Sequence, residues 1–194
     1  MKQRSINTVV KFVSGVEVFG ICLIILIALY FQFVLGELPC PLCLLQRLGL
    51  LGVAFGFLLN TYYCVRPIHY SLSLVSAVLT SFVSLRQITL HINSPVGYGS
   101  SIFGLHMYSW TFVLCCVIVL YIAVVMSFPR QYHLNKNKVL IEKVSEAKGK
   151  KTRLFTRIAF ILFLFIILVN VISTFSQCGW SECPDNPTFY RLMS

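Results

Sequence analysis

Charge is scarce in this chain. Only 11% of its 194 residues are charged, and only six of those are acidic. So few charges cannot solvate the surface of a water-soluble domain of this size, and a mean hydropathy of +0.82 points the same way. Other absences narrow the function. No Cys-x-x-Cys-His haem signature occurs, and the histidines form no obvious axial pair. No glycine-rich dinucleotide fingerprint is present, which argues against flavin or nicotinamide. There is no low-complexity tract and no convincing internal repeat. The net charge of +10 is uneven: nine Lys or Arg fall in residues 129–157 against Glu142 and Glu146. Basic residues gathered in one loop of an apolar chain report membrane topology rather than a nucleic-acid partner, and none is expected.

What is present in quantity is apolar sequence, in runs long enough to cross a bilayer. Five spans are expected, at about 12–34, 43–63, 70–90, 110–128 and 158–175. The fold class is therefore all-α integral membrane: a four-helix bundle with a fifth, C-terminal helix. Three segments are expected: a membrane domain at 1–128, a basic cytoplasmic loop at 129–157, and a fifth helix with an outer cysteine-bearing tail at 158–194. The first span is too long for a signal-peptide core and is read as an anchor. Lys2, Arg4 and Lys11 place the N-terminus in the cytoplasm. Five crossings then put the C-terminus outside, with the loops after the first and third spans. The middle of the basic loop is a candidate amphipathic helix at the anionic leaflet. Glu17, early in the first span, is read as an interfacial carboxylate or one paired between helices. Gly52 and Gly56 form a small-xxx-small pair suited to close helix packing.

There are eight cysteines. Cys22, Cys115 and Cys116 lie within spans and Cys64 lies at the cytoplasmic edge; these four read as small buried hydrophobes. Cys40, Cys43, Cys178 and Cys183 all fall on the oxidising side, as two close pairs. Three readings compete for them. Structural disulfides are the first, although a two-residue gap closes a very small loop and constrains little unfolded chain. A four-thiolate zinc site is the second; the first pair has zinc-like spacing and the second does not. Redox exchange is the third. The thiolate is the nucleophile in such exchange, and a neighbouring cation favours it. Arg47, one helical turn beyond Cys43 on the same face, supplies that cation. An arginine inside a span is costly in lipid and marks a cavity or a protein contact. A lipid-soluble quinone suits a site at such a membrane mouth, because an arginine can hydrogen-bond its carbonyl. His91, at the outer end of the third span, is a second candidate donor.

The run Pro39-Cys40-Pro41-Leu42-Cys43-Leu44-Leu45-Gln46-Arg47, opening the second span, resembles the DsbB family of bacterial inner-membrane disulfide bond formation proteins. Gly104-Leu105-His106-Met107-Tyr108-Ser109-Trp110, opening the fourth span, is similar to a second patch of that family, so the likeness extends over about 12–128. The resemblance implies a four-helix bundle that reoxidises the periplasmic oxidase DsbA and hands electrons to ubiquinone or menaquinone. By motif it implies that Cys40 and Cys43 are the quinone-facing redox pair, that Arg47 contacts the quinone and that His91 lies near it. One departure stands out. The family's second outer loop carries another cysteine pair, whereas residues 92–109 contain no cysteine. Cys178 and Cys183 are expected to take that place, receiving electrons from a DsbA-type partner or a dedicated thioredoxin-like oxidase. Vitamin K epoxide reductase-like chemistry is the alternative enzyme class, and a non-enzymatic zinc protein the alternative outside enzymes.

Overall fold

The computed structural model describes residues 2–63, 65–92, 99, 101–132, 150–180, 183–184 and 190. Among them, five long helices form the molecule: α1 (Lys2–Phe33), α2 (Pro41–Tyr62), α3 (Pro67–His91), α4 (Met107–Met126) and α5 (Lys150–Cys178). Each contains a stretch long and apolar enough to cross a membrane, from Val9–Phe33 in α1 to Leu154–Cys178 in α5. The chain is a multi-pass membrane protein. A 3-10 turn, Pro129–Tyr132, follows α4. The basic stretch at 133–149 and Cys64 lie outside the described residues.

Helix starts follow from proline chemistry. Pro41 and Pro67 occupy the first turns of α2 and α3, where a missing N–H costs nothing and the fixed φ suits a helix. Gly36, at φ 71°, takes the left-handed conformation that turns the chain out of α1. Several helix ends lie beyond the expected ones, although α4 stops at Met126 rather than at 128. α4 begins at Met107 rather than about 110, and α5 continues to Cys178 rather than ending near 175. The tail cysteine Cys178 is thus the last residue of a helix, because the polar Ser176 and Gln177 extend the helix instead of breaking it.

α2 touches all four other helices. Its closest neighbour is α3, and the cause is a stripe of glycines. Gly49, Gly52 and Gly56 face Thr80, Ser76 and Ser73 of α3, so the small-xxx-small reading holds and extends one turn further. A β-carbon on Gly56 would lie 2.6 Å from the His69 carbonyl oxygen and 2.9 Å from the Ser73 nitrogen. The Ser73 hydroxyl crosses the interface to donate to the Val53 carbonyl at 2.8 Å. Ser73, Ala77, Thr80, Ser84 and Gln87, spaced three and four apart, form the buried face of α3. Small and polar side chains thus replace a leucine seam there. The apolar core lies between α1, α2, α4 and α5, around Val18, Ile25, Phe57, Ile122 and Ile166.

Three sequence readings need amendment. Cys22 and Cys115 are fully buried, but Cys116 is exposed. Consecutive helical residues point about 100° apart, so only one of two adjacent cysteines can face the core. Glu17 is not interfacial: its carboxylate oxygens are buried, and the group it faces is the Tyr121 hydroxyl of α4, so of its two readings the one between helices holds. Finally, the stretch before α4 is not all irregular. Ser101–Ile102 (β1) pairs antiparallel with Leu105–His106 (β2) through a two-residue turn, Phe103 and Gly104, both at positive φ. That is the backbone a tight hairpin demands.

Candidate thiol and arginine site

The C-terminal ends of α1, α3 and α5 and the N-terminal ends of α2 and α4 gather at one end of the bundle. Cys40 caps α2 there: its sulfur accepts the Cys43 N–H at 3.2 Å. The cap turns both thiols inward, and their sulfurs lie 2.7 Å apart. Cys40 is buried, 7% exposed. Its hydrogen bond to Cys43, and then its burial, hold the Cys40 thiol well above the usual thiol range.

Gln87 of α3 closes over the pair. Its Nε2 donates to Cys40 Sγ and Cys43 Sγ, each at 3.3 Å. Its Oε1 accepts from Gln46 Nε2 at 2.7 Å. Arg47 is 9% exposed. One guanidinium nitrogen donates to Gln32 Oε1 at 2.6 Å and the other to the Ala28 carbonyl at 3.0 Å. Both acceptors are neutral. A guanidinium has five N–H donors, and among the described residues the others take no hydrogen bond.

Between α1, α2 and α4 is a cavity of about 90 Å³. Cys43, Gln46 and Arg47 reach it from α2, Ile24, Ile25 and Ala28 from α1, and Met107, Tyr108 and Thr111 from α4. Glu37 and Gly99 sit at its edge. Cys43 lines it and Cys40 does not. The walls are mostly apolar, with a few convergent donors, the pattern of a small-molecule site. That donor set fits a flat apolar molecule carrying carbonyl acceptors.

The fifth helix reaches the same corner. Gln177 Nε2 donates to the Pro39 carbonyl at 2.6 Å, beside Cys40 in sequence. Cys178, the next residue, is disulfide-bonded to Cys183. This leaves neither as a thiolate for zinc. Further down α5, the Ser173 hydroxyl accepts from Gln32 Nε2 at 2.6 Å, and the same nitrogen reaches the Tyr190 hydroxyl at 3.2 Å. The amide that holds Arg47 is therefore itself held from α5 and the tail.

His91 is near this corner but not in the cavity wall. Its Nδ1 donates to the Gln87 carbonyl at 2.9 Å, and its ring lies 5.7 Å from that of Tyr108, which does line the cavity. The structure thus brings Cys40, Cys43 and Arg47 together, anchors the helix end beside Cys178 against them, and leaves His91 one residue removed. Sequence reading missed four glutamines: Gln32, Gln46, Gln87 and Gln177, all buried. The available signal was an amide in or next to an apolar span, which needs a partner in the protein.

The family of Disulfide bond formation protein DsbB matches residues 11–99. That segment includes α2 and α3, both thiols, Gln87 and Arg47. Over residues 11–99, a little under half of its length, the chain is similar to the DsbB family. The match stops short of the expected 128 and does not reach the patch at 104–110. Among similar relatives, Disulfide bond formation protein B of Saccharophagus degradans is 38% identical over 82 residues, which is 40% of this chain and 49% of that protein. The Pasteurella multocida protein of the same name is 34% identical over 70 residues, 34% of this chain and 39% of that protein. Disulfide bond formation protein B 1 of Pseudomonas putida is 66% identical over 32 residues, 16% of this chain and 19% of that protein. The chain thus spans about half or less of the length of the DsbB relatives it matches. No solved structure matches.

Proposed function

We propose that this DsbB-like chain is a thiol oxidase of the bacterial inner membrane, taking electrons from a periplasmic DsbA-type dithiol and delivering them to the membrane quinone pool. One observation carries the reading: Cys43 and Arg47 share a cavity at the mouth of the bundle, and the disulfide-bearing end of α5 is hydrogen-bonded to the residue before Cys40. The cytoplasmic side is assigned to the N-terminus and the nine basic residues of 129–157, and the periplasmic side to both cysteine pairs.

In this reading a donor thiolate attacks the Cys178–Cys183 bond and forms a mixed disulfide. The donor's second thiolate displaces it, so the donor leaves oxidised and the tail pair holds two electrons. The tail pair then reduces a Cys40–Cys43 disulfide by the same two displacements. Cys43, the thiol that faces the cavity, is the exit. A bound quinone, ubiquinone or menaquinone, supplies a two-electron, two-proton acceptor. Arg47 and Gln46 would hold its carbonyl edge by N–H donation, and Ile24, Ile25 and Met107 its apolar face. His91 stands behind Tyr108, placed to orient that ring. A quinone suits the task energetically: DsbA is a strong oxidant, at about −120 mV, and its reoxidation needs an acceptor above that.

The test is anaerobic reduction of a soluble ubiquinone analogue by the purified protein, with a reduced DsbA-type dithiol as donor. Turnover abolished by Cys40→Ser plus Cys43→Ser supports the reading. No turnover with that donor or with a small dithiol removes it.

A further inference from the structure

Gln87 lies on α3 one turn before that helix ends and is fully buried. A buried amide must place two N–H donors and one carbonyl. Here both donors go to sulfur: one nitrogen stands 3.3 Å from Cys40 Sγ and 3.3 Å from Cys43 Sγ. The oxygen accepts from Gln46 Nε2 at 2.7 Å and, over a longer 3.8 Å, from the Cys43 thiol. The bond from Gln46 fixes which way the amide points. Turned over, it would set its N–H₂ against that of Gln46 and its oxygen against the sulfurs. A glutamine satisfied only by packing would give its donors to helix carbonyls; this one gives them to the two thiols.

We infer that Gln87 is a catalytic hydrogen-bond donor of the Cys40–Cys43 pair, stabilising whichever sulfur carries negative charge during exchange. The inference rests on the reading of these cysteines as a redox pair. When a reductant's thiolate attacks the oxidised pair, a new S–S bond forms to one sulfur. The Cys40–Cys43 bond breaks, and its electron pair stays on the other sulfur as thiolate. The reductant's second thiolate then releases the first sulfur. The reductant leaves as a disulfide, and the pair has gained two electrons and the two protons given up by the reductant. Gln87 has one N–H for each sulfur, so the leaving thiolate meets a donor whichever sulfur is attacked. A hydrogen bond to an ionised acceptor is about twice as strong as a neutral one, and a donor already in place costs no reorganisation. The consequence is a pair that is easier to reduce and faster to react.

The experiment uses the full chain in detergent with quinone removed. The reduction potential of Cys40–Cys43 is read against dithiothreitol redox buffers, and the alkylation rate of the reduced pair with iodoacetamide at fixed pH. Gln87→Met, of similar length without donors, is expected to lower the equilibrium constant for reduction about tenfold, or about 30 mV, and to slow alkylation by a similar factor. Gln46→Leu, which keeps Gln87 but frees its oxygen, is expected to shift both in the same direction by less. Wild-type potential and alkylation rate in Gln87→Met, with melting temperature retained, overturn the proposal. If Gln87→Met does not fold, wild-type values in Gln46→Leu overturn it instead. Neither quinone nor partner is present, so this failure leaves the oxidase reading intact. A Cys40–Cys43 pair that cannot be cycled even in the unmodified chain removes both.

Discussion

Replacing Gln32 by leucine tests how Arg47 is held. The guanidinium has two hydrogen bonds, to Gln32 at 2.6 Å and to the Ala28 carbonyl at 3.0 Å. A hydrogen bond to a charged group contributes about 1.5–3 kcal/mol, and about 1.4 kcal/mol is a factor of ten. The Ala28 contact survives the substitution, so the low end applies: about a tenfold rise in KM for the quinone analogue. The change should be confined to that end of the reaction. Reduction of Cys178–Cys183 by a small dithiol involves neither Gln32 nor Arg47 and is expected at the wild-type rate. The assay is an anaerobic quinone titration with dithiothreitol as donor, beside a stopped measurement of tail reduction. A KM within twofold of wild type, in a protein where Arg47→Ala has lost turnover, would refute the idea that Gln32 positions the arginine. A lower melting temperature with unchanged KM would show that Gln32 only ties α1 to α5.

Ser173→Ala with Tyr190→Phe removes both hydroxyls that hold Gln32. Neutral hydrogen bonds contribute about 0.5–1.5 kcal/mol each, so a smaller rise in quinone KM is expected than for Gln32→Leu, seen in the same titration. Glycine packing gives an ordered pair. A β-carbon at Gly56 meets backbone atoms of α3, whereas one at Gly52 meets only the Ser76 side chain. Gly56→Ala is therefore expected to lose about 1–3 kcal/mol and Gly52→Ala less, by melting temperature in detergent. The raised Cys40 thiol has a pH consequence. Little thiolate forms on Cys40 at neutral pH, so its alkylation in the reduced protein should stay slow until strongly alkaline pH and trail that of Cys43 throughout. Mass spectrometry of iodoacetamide-treated protein resolves the two. In a bilayer, an apolar maleimide is expected to label Cys116 and spare Cys115.

Helix number was legible because a span needs only length and apolarity. The Cys40–Arg47 corner was legible because proline, thiol and arginine sit in one short run, where helical spacing alone sets their neighbourhood. Glycines at 52 and 56 announced close helix packing for the same local reason, but not that α3 is the partner. What escaped depended on distant partners. Gln87 is 44 residues from Cys43, and nothing near it in sequence says that its amide meets a sulfur. Gln32 meets Ser173 across 141 residues. Cys116 was misread because a pair of adjacent cysteines has no periodicity to say which one faces in. The hairpin at 101–106 was missed because its two-residue strands are too short to show alternation, and Phe103 is an unusual residue for positive φ.

The measurement that bears most directly on the proposed electron path is turnover of Cys178→Ser plus Cys183→Ser with two donors, a reduced DsbA-type protein and dithiothreitol. If electrons enter through the tail, quinone reduction driven by the protein donor falls to background, while dithiothreitol still reaches Cys40–Cys43 and supports turnover. Unchanged turnover with the protein donor would contradict that path and leave the Cys178–Cys183 bond as a structural clasp.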